Sequence, residues 1–508
     1  MSAKNKLVAL RRTYLDNESV SIKEQLGYAG GVFGNAMGQD STDTFSDKFE
    51  RNFMGIGNRM MVIKGNISTV LGFFVPPVAG ALYDIPAKGK RSHLRTALLI
   101  TPLPFAISSM LLFVVPTGNA LYNFIWTLFL SVVFSVVDTF YDIALKALGL
   151  KMVTNPADRK KFFTFESIAS TLGSMAPGGI IPIFVGMTDD AERQKWTYFF
   201  IALVFCIIGV AVMYAPYLTI AERAAFYQGN EKADEPVEKV RFDRRNLAAI
   251  LHNRPFVVLQ LATVFETIRQ ITYKLLPYLY DDTLDAYEMQ TIVGGVSGAL
   301  SYAGLMAVPF LGRTFSARTI MAGGYSYTAF FYAILSLFNV NFSVDSIRRK
   351  KIIIGSCIAL AGMPNAAQGA ARNIITADST DYMEWYSEKR YGLPIHSDGL
   401  LSATQNIVGK FNSLLKTNLY NGLFSLIKYQ SNELKGSKPV QSASTITGIY
   451  RAASLCGLIG NLLPALTFLL DNYHGKRKDE IYAELLDMRK KRAELELIGE
   501  ELTNGSES

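Results

Sequence analysis

Residues 121–150 read LYNFIWTLFLSVVFSVVDTFYDIALKALGL. The stretch is long and apolar enough to cross a bilayer, yet it holds Asp138, Asp142 and Lys146. Residues four apart stack on one helix face. A charged group in hydrocarbon costs about 2.5–3.5 kcal/mol on insertion scales, so such a stripe faces a bundle interior or a wet cavity. A second reading puts the segment at a cytoplasmic helix end, with Lys146 snorkelling outward.

The rest of the chain repeats the theme. Of its 508 residues 49% are hydrophobic and 12% aromatic, with a mean hydropathy of +0.19. Charges gather in short segments between long apolar runs, which argues for a polytopic α-helical membrane protein rather than a barrel of short alternating strands. Twelve candidate spans lie at roughly 26–50, 57–83, 96–116, 119–149, 162–187, 195–220, 254–280, 288–311, 316–340, 350–379, 396–428 and 443–471. Basic residues follow the second span (Lys88, Lys90, Arg91, Arg95), the fourth (Lys151, Arg159, Lys160, Lys161), the eighth (Arg313, Arg318) and the tenth (Lys389, Arg390). With the N-terminus inside, these loops are cytoplasmic, and the net charge of +8 reflects them rather than a nucleic-acid partner. The basic run Arg348–Lys351 breaks this pattern.

The polar segment 221–253 divides the chain into six spans and six. The expected organisation is a cytoplasmic N-terminus (1–25), an N-terminal six-helix bundle (26–220), a cytoplasmic linker (221–253), a C-terminal six-helix bundle (254–471) and a cytoplasmic tail (472–508). In the tail, Ile481, Leu485, Met488, Leu495 and Ile498 recur at helical spacing, giving a short amphipathic helix whose default state is solvated. The first span pairs a small-residue stripe (Gly30, Gly34, Gly38) with Asn35, Gln39, Asp40, Asp43 and Asp47. Such a helix must be shielded by neighbours or line water. Asp40 and Asp43 are the cavity candidates, and Asp47 is expected near the headgroup zone.

The three cysteines (Cys206, Cys357, Cys456) lie in apolar spans and make no disulfide framework, and neither they nor the four histidines have metal-ligand spacing. A P-loop and a nucleophile elbow are missing from the sequence, so no enzymatic chemistry, cofactor or metal site is expected.

A more specific signal runs from Ala377 to Lys410, ADSTDYMEWYSEKRYGLPIHSDGLLSATQNIVGK. Asp381, Tyr382, Glu384, Trp385 and Arg390, followed by Ser402, Gln405 and Lys410, resemble the loop between helices ten and eleven and the eleventh helix of the glycoside–pentoside–hexuronide:cation symporters, typified by melibiose permease. LGYAGGVFGN (26–35) and DIALKALGLKMVTNPADRKKF (142–162) resemble that family's first helix and its fourth helix with the following loop. The resemblance implies an all-α membrane protein of the major facilitator fold, twelve transmembrane helices in two six-helix bundles, transporting by alternating access around a midplane site. It aligns Asp142 with a sugar-contacting aspartate and Lys410 with a lysine near the cation site. It also marks departures. The two cation-ligating aspartates of the second helix fall at Gly72 and Pro76, the first-helix sugar aspartate at Ala36, the sugar-stacking tryptophan at Lys146, and the fifth-helix arginine at Ser167.

With the second-helix pair gone, Asp40, Asp43, Glu166 and Glu266 are the candidate cation-coupling acids, alongside Asp142. A proton needs only one carboxylate, whereas sodium needs several oxygens, so the coupling ion is H+ or Na+ with the proton favoured. Glu266 has an alternative partner in Arg269, and Glu166 in Lys160 or Lys161. Asp142, Lys146, Gln368, Arg372 and Lys410 are the candidate substrate-binding residues. The cations among them suit a carboxylate-bearing substrate, or balance buried acids with no ligand role. Gln368 and Asn365 serve sugar hydroxyls or neighbouring helices. Asp84 and Arg91 in one half, and Asp381, Glu384 and Arg390 in the other, are candidate gate latches, with loop solvation as the alternative.

The expected function is cation-coupled symport of a sugar, glycoside or uronide by a monomer in the cell (inner) membrane, with both termini cytoplasmic. Its partners are the substrate, the coupling cation and the lipid bilayer. An uncoupled facilitator or exchanger and a transporter-like sensor or scaffold are the alternatives.

Overall fold

The computed structural model describes residues 20–84, 93–152, 156–188, 190–220, 244–312, 314–338, 347–392, 398–430 and 441–505. Every regular element among them is helical. The first span is Ile22–Asp40, a π-helical turn Ser41–Ser46 and a short helix Asp47–Phe53. The next five are Asn58–Asp84, the pair His93–Ile100 and Pro102–Leu111, then Ala120–Met152, Pro156–Gly186 and Ala191–Met213. The seventh is Arg254–Tyr278, extended by a second π-helical turn, Leu279–Thr283. Met289–Leu311, Ala317–Leu337, the pair Ile347–Ala361 and Asn365–Tyr391, Asp398–Leu426 and Ala443–Thr467 complete the twelve. A tail helix, Lys476–Gly505, follows.

Local chemistry sets several boundaries. Ser21 and Glu24 form a reciprocal capping box at the start of the first span. The third and tenth spans break where Pro102 and Pro364 remove a backbone donor and crowd the preceding turn. Gly392, with φ +68°, closes the tenth.

Nine stretches among the described residues are long and apolar enough to cross a membrane by composition alone. The first, seventh and eleventh spans are not among them, because they carry Asp40, Asp43 and Asp47; Glu266, Arg269 and Lys274; and Lys410 with Asn412 and Asn421. These three polar helices carry Asp40, Asp43, Glu266 and Lys410 of the candidate site.

Packing divides the chain into two compact units. The first comprises Met1–Val237, Lys274–Gly295 and Thr417–Tyr450; the second comprises Glu238–Tyr273, Val296–Lys416 and Arg451–Ser508. In the first unit, the opening helix lies against the fifth and sixth spans, the second span against the fourth, and the third against the fourth and sixth. Apolar helices gain little by burying apolar surface from lipid, so close van der Waals contact must drive their association. Gly34 supplies it: a Cβ there would come within 2.7 Å of Met213 and Val212. In the second unit the ninth span packs on the tenth, with Met321, Tyr325, Ala371 and Ile375 joined by Val258 and Leu259 of the seventh.

Candidate functional site

In the first unit the acids of the first, fourth and fifth spans converge. Gln39 donates its side-chain amide to Asp138 Oδ1 at 2.8 Å. Thr44 donates to Asp40 at 3.3 Å. Asp142 is paired with Lys146 at 2.7 Å across one helical turn, with the lysine 62% exposed. Asp40 and Asp43 lie close enough for their charges to interact, as do Asp138 with Asp43, Asp142 and Lys146, and Glu166 with Asp142 and Lys146. Oε2 of Glu166 is buried without a hydrogen-bond partner among the described residues. Lys160 and Lys161, the alternative partners of Glu166, have side chains outside the described set. This seam holds five carboxylates (Asp40, Asp43, Asp138, Asp142, Glu166) beside Lys146, with Lys274 near enough for its charge to act on Asp40 and Asp43, and only Asp142 is in a salt bridge with a described residue. The sequence marks Asp138 as part of a stripe but gives it no role; its bond to Gln39 joins the fourth span to the first.

In the second unit the balance is reversed. Glu266 of the seventh span accepts from Arg269 one turn on and from Arg372 of the tenth. Arg269 also donates to Gln368 Oε1 at 3.2 Å and to Asn365 Oδ1 at 3.4 Å, and lies over the Tyr325 ring. Arg372 donates further to Tyr325 Oη and Thr263 Oγ1, each at 3.4 Å. The Nε2 of Gln368, the Nε of Arg269 and the Oδ1 of Asn412 are buried with no partner among the described residues. Lys410, on the eleventh span, is half-buried and forms no salt bridge with a described residue. Two guanidiniums therefore share one carboxylate, with polar atoms around them still unsatisfied. The pairing of Glu266 with Arg269 was readable at helical spacing. The arrival of Arg372 and Tyr325 was not, because it needs three helices to meet.

A third cluster escaped the sequence reading. Asp47, expected near the headgroups, is held by Lys274 at 3.3 Å and Lys64 at 3.9 Å. Glu50 is paired with Lys64 at 2.6 Å, and Lys48 with Asp281 at 2.6 Å. Lys48 also donates to the carbonyl of Pro277 at 2.9 Å. Arg51 donates to Asn58 and Asn421 and lies over the Phe424 ring. Lys48, Glu50 and Arg51 are at most 1% exposed. With Asp282, bonded by Tyr429 at 3.1 Å, the network sets four acids (Asp47, Glu50, Asp281, Asp282) against four bases (Lys48, Arg51, Lys64, Lys274). It lies entirely within the first unit and joins the short helix after the first π-helical turn to the second such turn. Such turns are frequent at functional sites.

Residues 27–472 match the family described as MFS/sugar transport protein. The chain belongs to that family. It is a transporter of the major facilitator type, not an enzyme. An uncharacterized symporter of Bacillus subtilis (strain 168), YjmB, is 23% identical over 490 residues, 95% of this chain and 97% of its own. The isoprimeverose transporter of Lactiplantibacillus pentosus is 20% identical over 482 residues, 93% and 92% of the two chains. Among solved structures, the nucleoside transporter NupG superposes with a TM-score of 0.57 at 12% identity, covering 90% of this chain and all of that one, a likeness of fold alone.

For a transporter, the placement of the gate candidates matters. Asp381 and Glu384, on the tenth span, are both bound by Arg489 of the tail helix, at 2.9 Å in the case of Asp381. Arg390, expected to act with them, is exposed and has no salt bridge with a described residue. The tail is correspondingly not a free solvated helix. Lys478 is paired with Asp378 at 2.6 Å, Glu484 accepts from Lys389 and Trp385 at 2.8 Å each, and Ile481 packs with Tyr382 and Tyr473. The hydrogen bonds from Lys389 and then Trp385 hold the Glu484 carboxyl below its ordinary range. Arg91 and the side chains of Asp84, Leu495 and Ile498 lie outside the described residues, as does 221–243 of the linker.

Proposed function

We propose that the chain carries a sugar, glycoside or uronide across the cell membrane by alternating access, together with a proton. The observation that carries this reading is the opposite charge of the two clusters: an acid-rich seam on the first, fourth and fifth spans, and a guanidinium-rich cluster on the seventh and tenth. Asp40, Asp43 and Asp138 are held by neutral partners or by none, which leaves them free to take up and release a cation. Glu266, gripped by two guanidiniums, is the poorer coupling acid and acts instead as an internal counter-ion. Arg372, Arg269 and Lys410 suit the carboxylate of a sugar acid, because a guanidinium grips a carboxylate through two parallel hydrogen bonds. The family description and the isoprimeverose relative support a sugar scaffold.

The test is a thermal-stabilisation screen of purified protein against neutral sugars and sugar acids, with and without sodium and at two pH values, followed by uptake with and without a protonophore. Stabilisation by a sugar acid, and accumulation lost to the protonophore but not to sodium removal, are expected. Accumulation that survives both treatments rejects symport.

A further inference from the structure

The second unit holds two cavities whose walls include none of Glu266, Arg269 and Arg372. One is an apolar slot of about 370 Å³ between the eighth, ninth and tenth spans, walled by Ala307, Leu311, Gly323, Tyr327 and Pro364. The other, the polar cavity of about 480 Å³, sets Arg318, Asp378, Asp471, His474, Lys478 and Asp479 beside apolar residues such as Val308 and Ile374. Phe315 and Ile320 line both, so the two cavities meet there.

Their positions follow from the helices. The polar cavity sits where the eighth span ends, the ninth begins, the twelfth ends and the tail helix starts. From that end the slot follows the ninth span from Thr319 to Tyr327, eight residues or about 12 Å at ~1.5 Å each. One leaflet of a ~30 Å hydrocarbon core is about 15 Å deep. The slot therefore has the depth of a single leaflet, and the polar cavity lies at the level of its headgroups.

Charge selects the headgroup. Arg318 donates to the carbonyls of Phe468 at 2.6 Å and Leu469 at 3.2 Å, and to His474 Nε2, and is in no salt bridge with a described residue. Lys478 is paired with Asp378, while Asp471 and Asp479 add two further acids to the wall. Two cations thus face three carboxylates. A purely anionic headgroup would deepen that negative imbalance, whereas a phosphate beside Arg318 with an ammonium beside Asp471 and Asp479 matches both signs.

We propose that these joined cavities bind one zwitterionic phospholipid with a primary-ammonium headgroup, an acyl chain in the slot and the phosphoethanolamine in the polar cavity. The site bridges the ninth span, the end of the twelfth and the tail helix.

Gly323 provides a clean probe, because a Cβ there meets no atom within 4 Å and a larger side chain enters open slot. The full chain is loaded into nanodiscs containing equal phosphatidylethanolamine and phosphatidylglycerol, released, and weighed intact by native mass spectrometry. Retention of one phosphatidylethanolamine, favoured about tenfold over phosphatidylglycerol, is expected. Gly323→Trp should remove the retained lipid, Arg318→Gln should reduce it, and Asp479→Asn should shift the preference toward phosphatidylglycerol, with each variant checked for monodispersity and helix content. Equal retention by wild type and a folded Gly323→Trp, a wild-type preference for phosphatidylglycerol, or retention without headgroup preference would each overturn the proposal.

Discussion

The acid seam of the first, fourth and fifth spans and the arginine cluster of the seventh and tenth both place charge within the helical spans, but they are solved differently. In the seam, five carboxylates outnumber the nearby ammoniums of Lys146 and Lys274, and neutral donors such as Gln39 and Thr44 do part of the work. In the arginine cluster, one carboxylate is divided between two guanidiniums. The network around Lys48 and Glu50 is the contrasting case, four against four, with Lys48, Lys64 and Lys274 paired directly to Asp281, Glu50 and Asp47. Buried charge that is fully compensated serves structure and specificity. Buried charge left unbalanced is held for something that comes and goes. On this view the seam awaits a cation and the arginine cluster an anion.

The largest effect should come from the balanced network. Lys48→Met leaves Asp281 buried without its ammonium, which should destabilise the protein by about 3–5 kcal/mol and lower the melting temperature in detergent. A melting temperature within error of wild type would show that the pairing carries no such weight. Next, Arg372→Gln should weaken binding of a sugar acid by about 1.5–3 kcal/mol, the range for a charged hydrogen bond, while a neutral analogue is nearly unaffected. Equal losses for both would place Arg372 outside the site. Asp138→Asn and Asp142→Asn sharpen the other side. Each should remove the roughly 5–150-fold effect of the coupling ion on substrate affinity, the usual span of such couplings, with protein still reaching the membrane. Lys410→Ala should impair uptake without altering that ion effect. The smallest effect belongs to the tail. Lys389→Ala, at the exposed ion pair with Glu484, should cost at most ~1 kcal/mol and leave uptake intact, so a large loss of transport would make the tail part of the gate. Because the Glu484 carboxyl is held low, its contribution to tail docking is complete above its unperturbed value. That contribution fades as pH falls through the lowered one, which hydrogen exchange across 476–490 would follow.

The sequence and the structure agree most closely on the helices. Long apolar runs define spans almost to the residue, as at 57–83 against Asn58–Asp84 and 443–471 against Ala443–Thr467 with its short 3-10 extension Phe468–Leu470. A strict hydropathy threshold passes over the polar first, seventh and eleventh spans, which the sequence still shows as candidate spans at 26–50, 254–280 and 396–428. The π-helical turns at Ser41–Ser46 and Leu279–Thr283 leave no periodic signal in the sequence. Charge pairs one turn apart, Asp142 with Lys146 and Glu266 with Arg269, were legible from spacing. Pairs more than a hundred residues apart, Arg372 with Glu266 and Arg489 with Glu384, were not. The same limit hid the docking of the tail, whose partners on the tenth span looked like ordinary loop charges.

The most direct measurement is uptake into proteoliposomes of a glucuronoside and the matching neutral glucoside, under an imposed proton gradient, by wild type, Asp138→Asn and Arg372→Gln. Asp138→Asn should abolish the response to the gradient for whichever substrate is carried, and Arg372→Gln should lose the glucuronoside alone. If the two variants impair both substrates and the gradient response alike, the division of labour between the acidic and basic clusters is wrong.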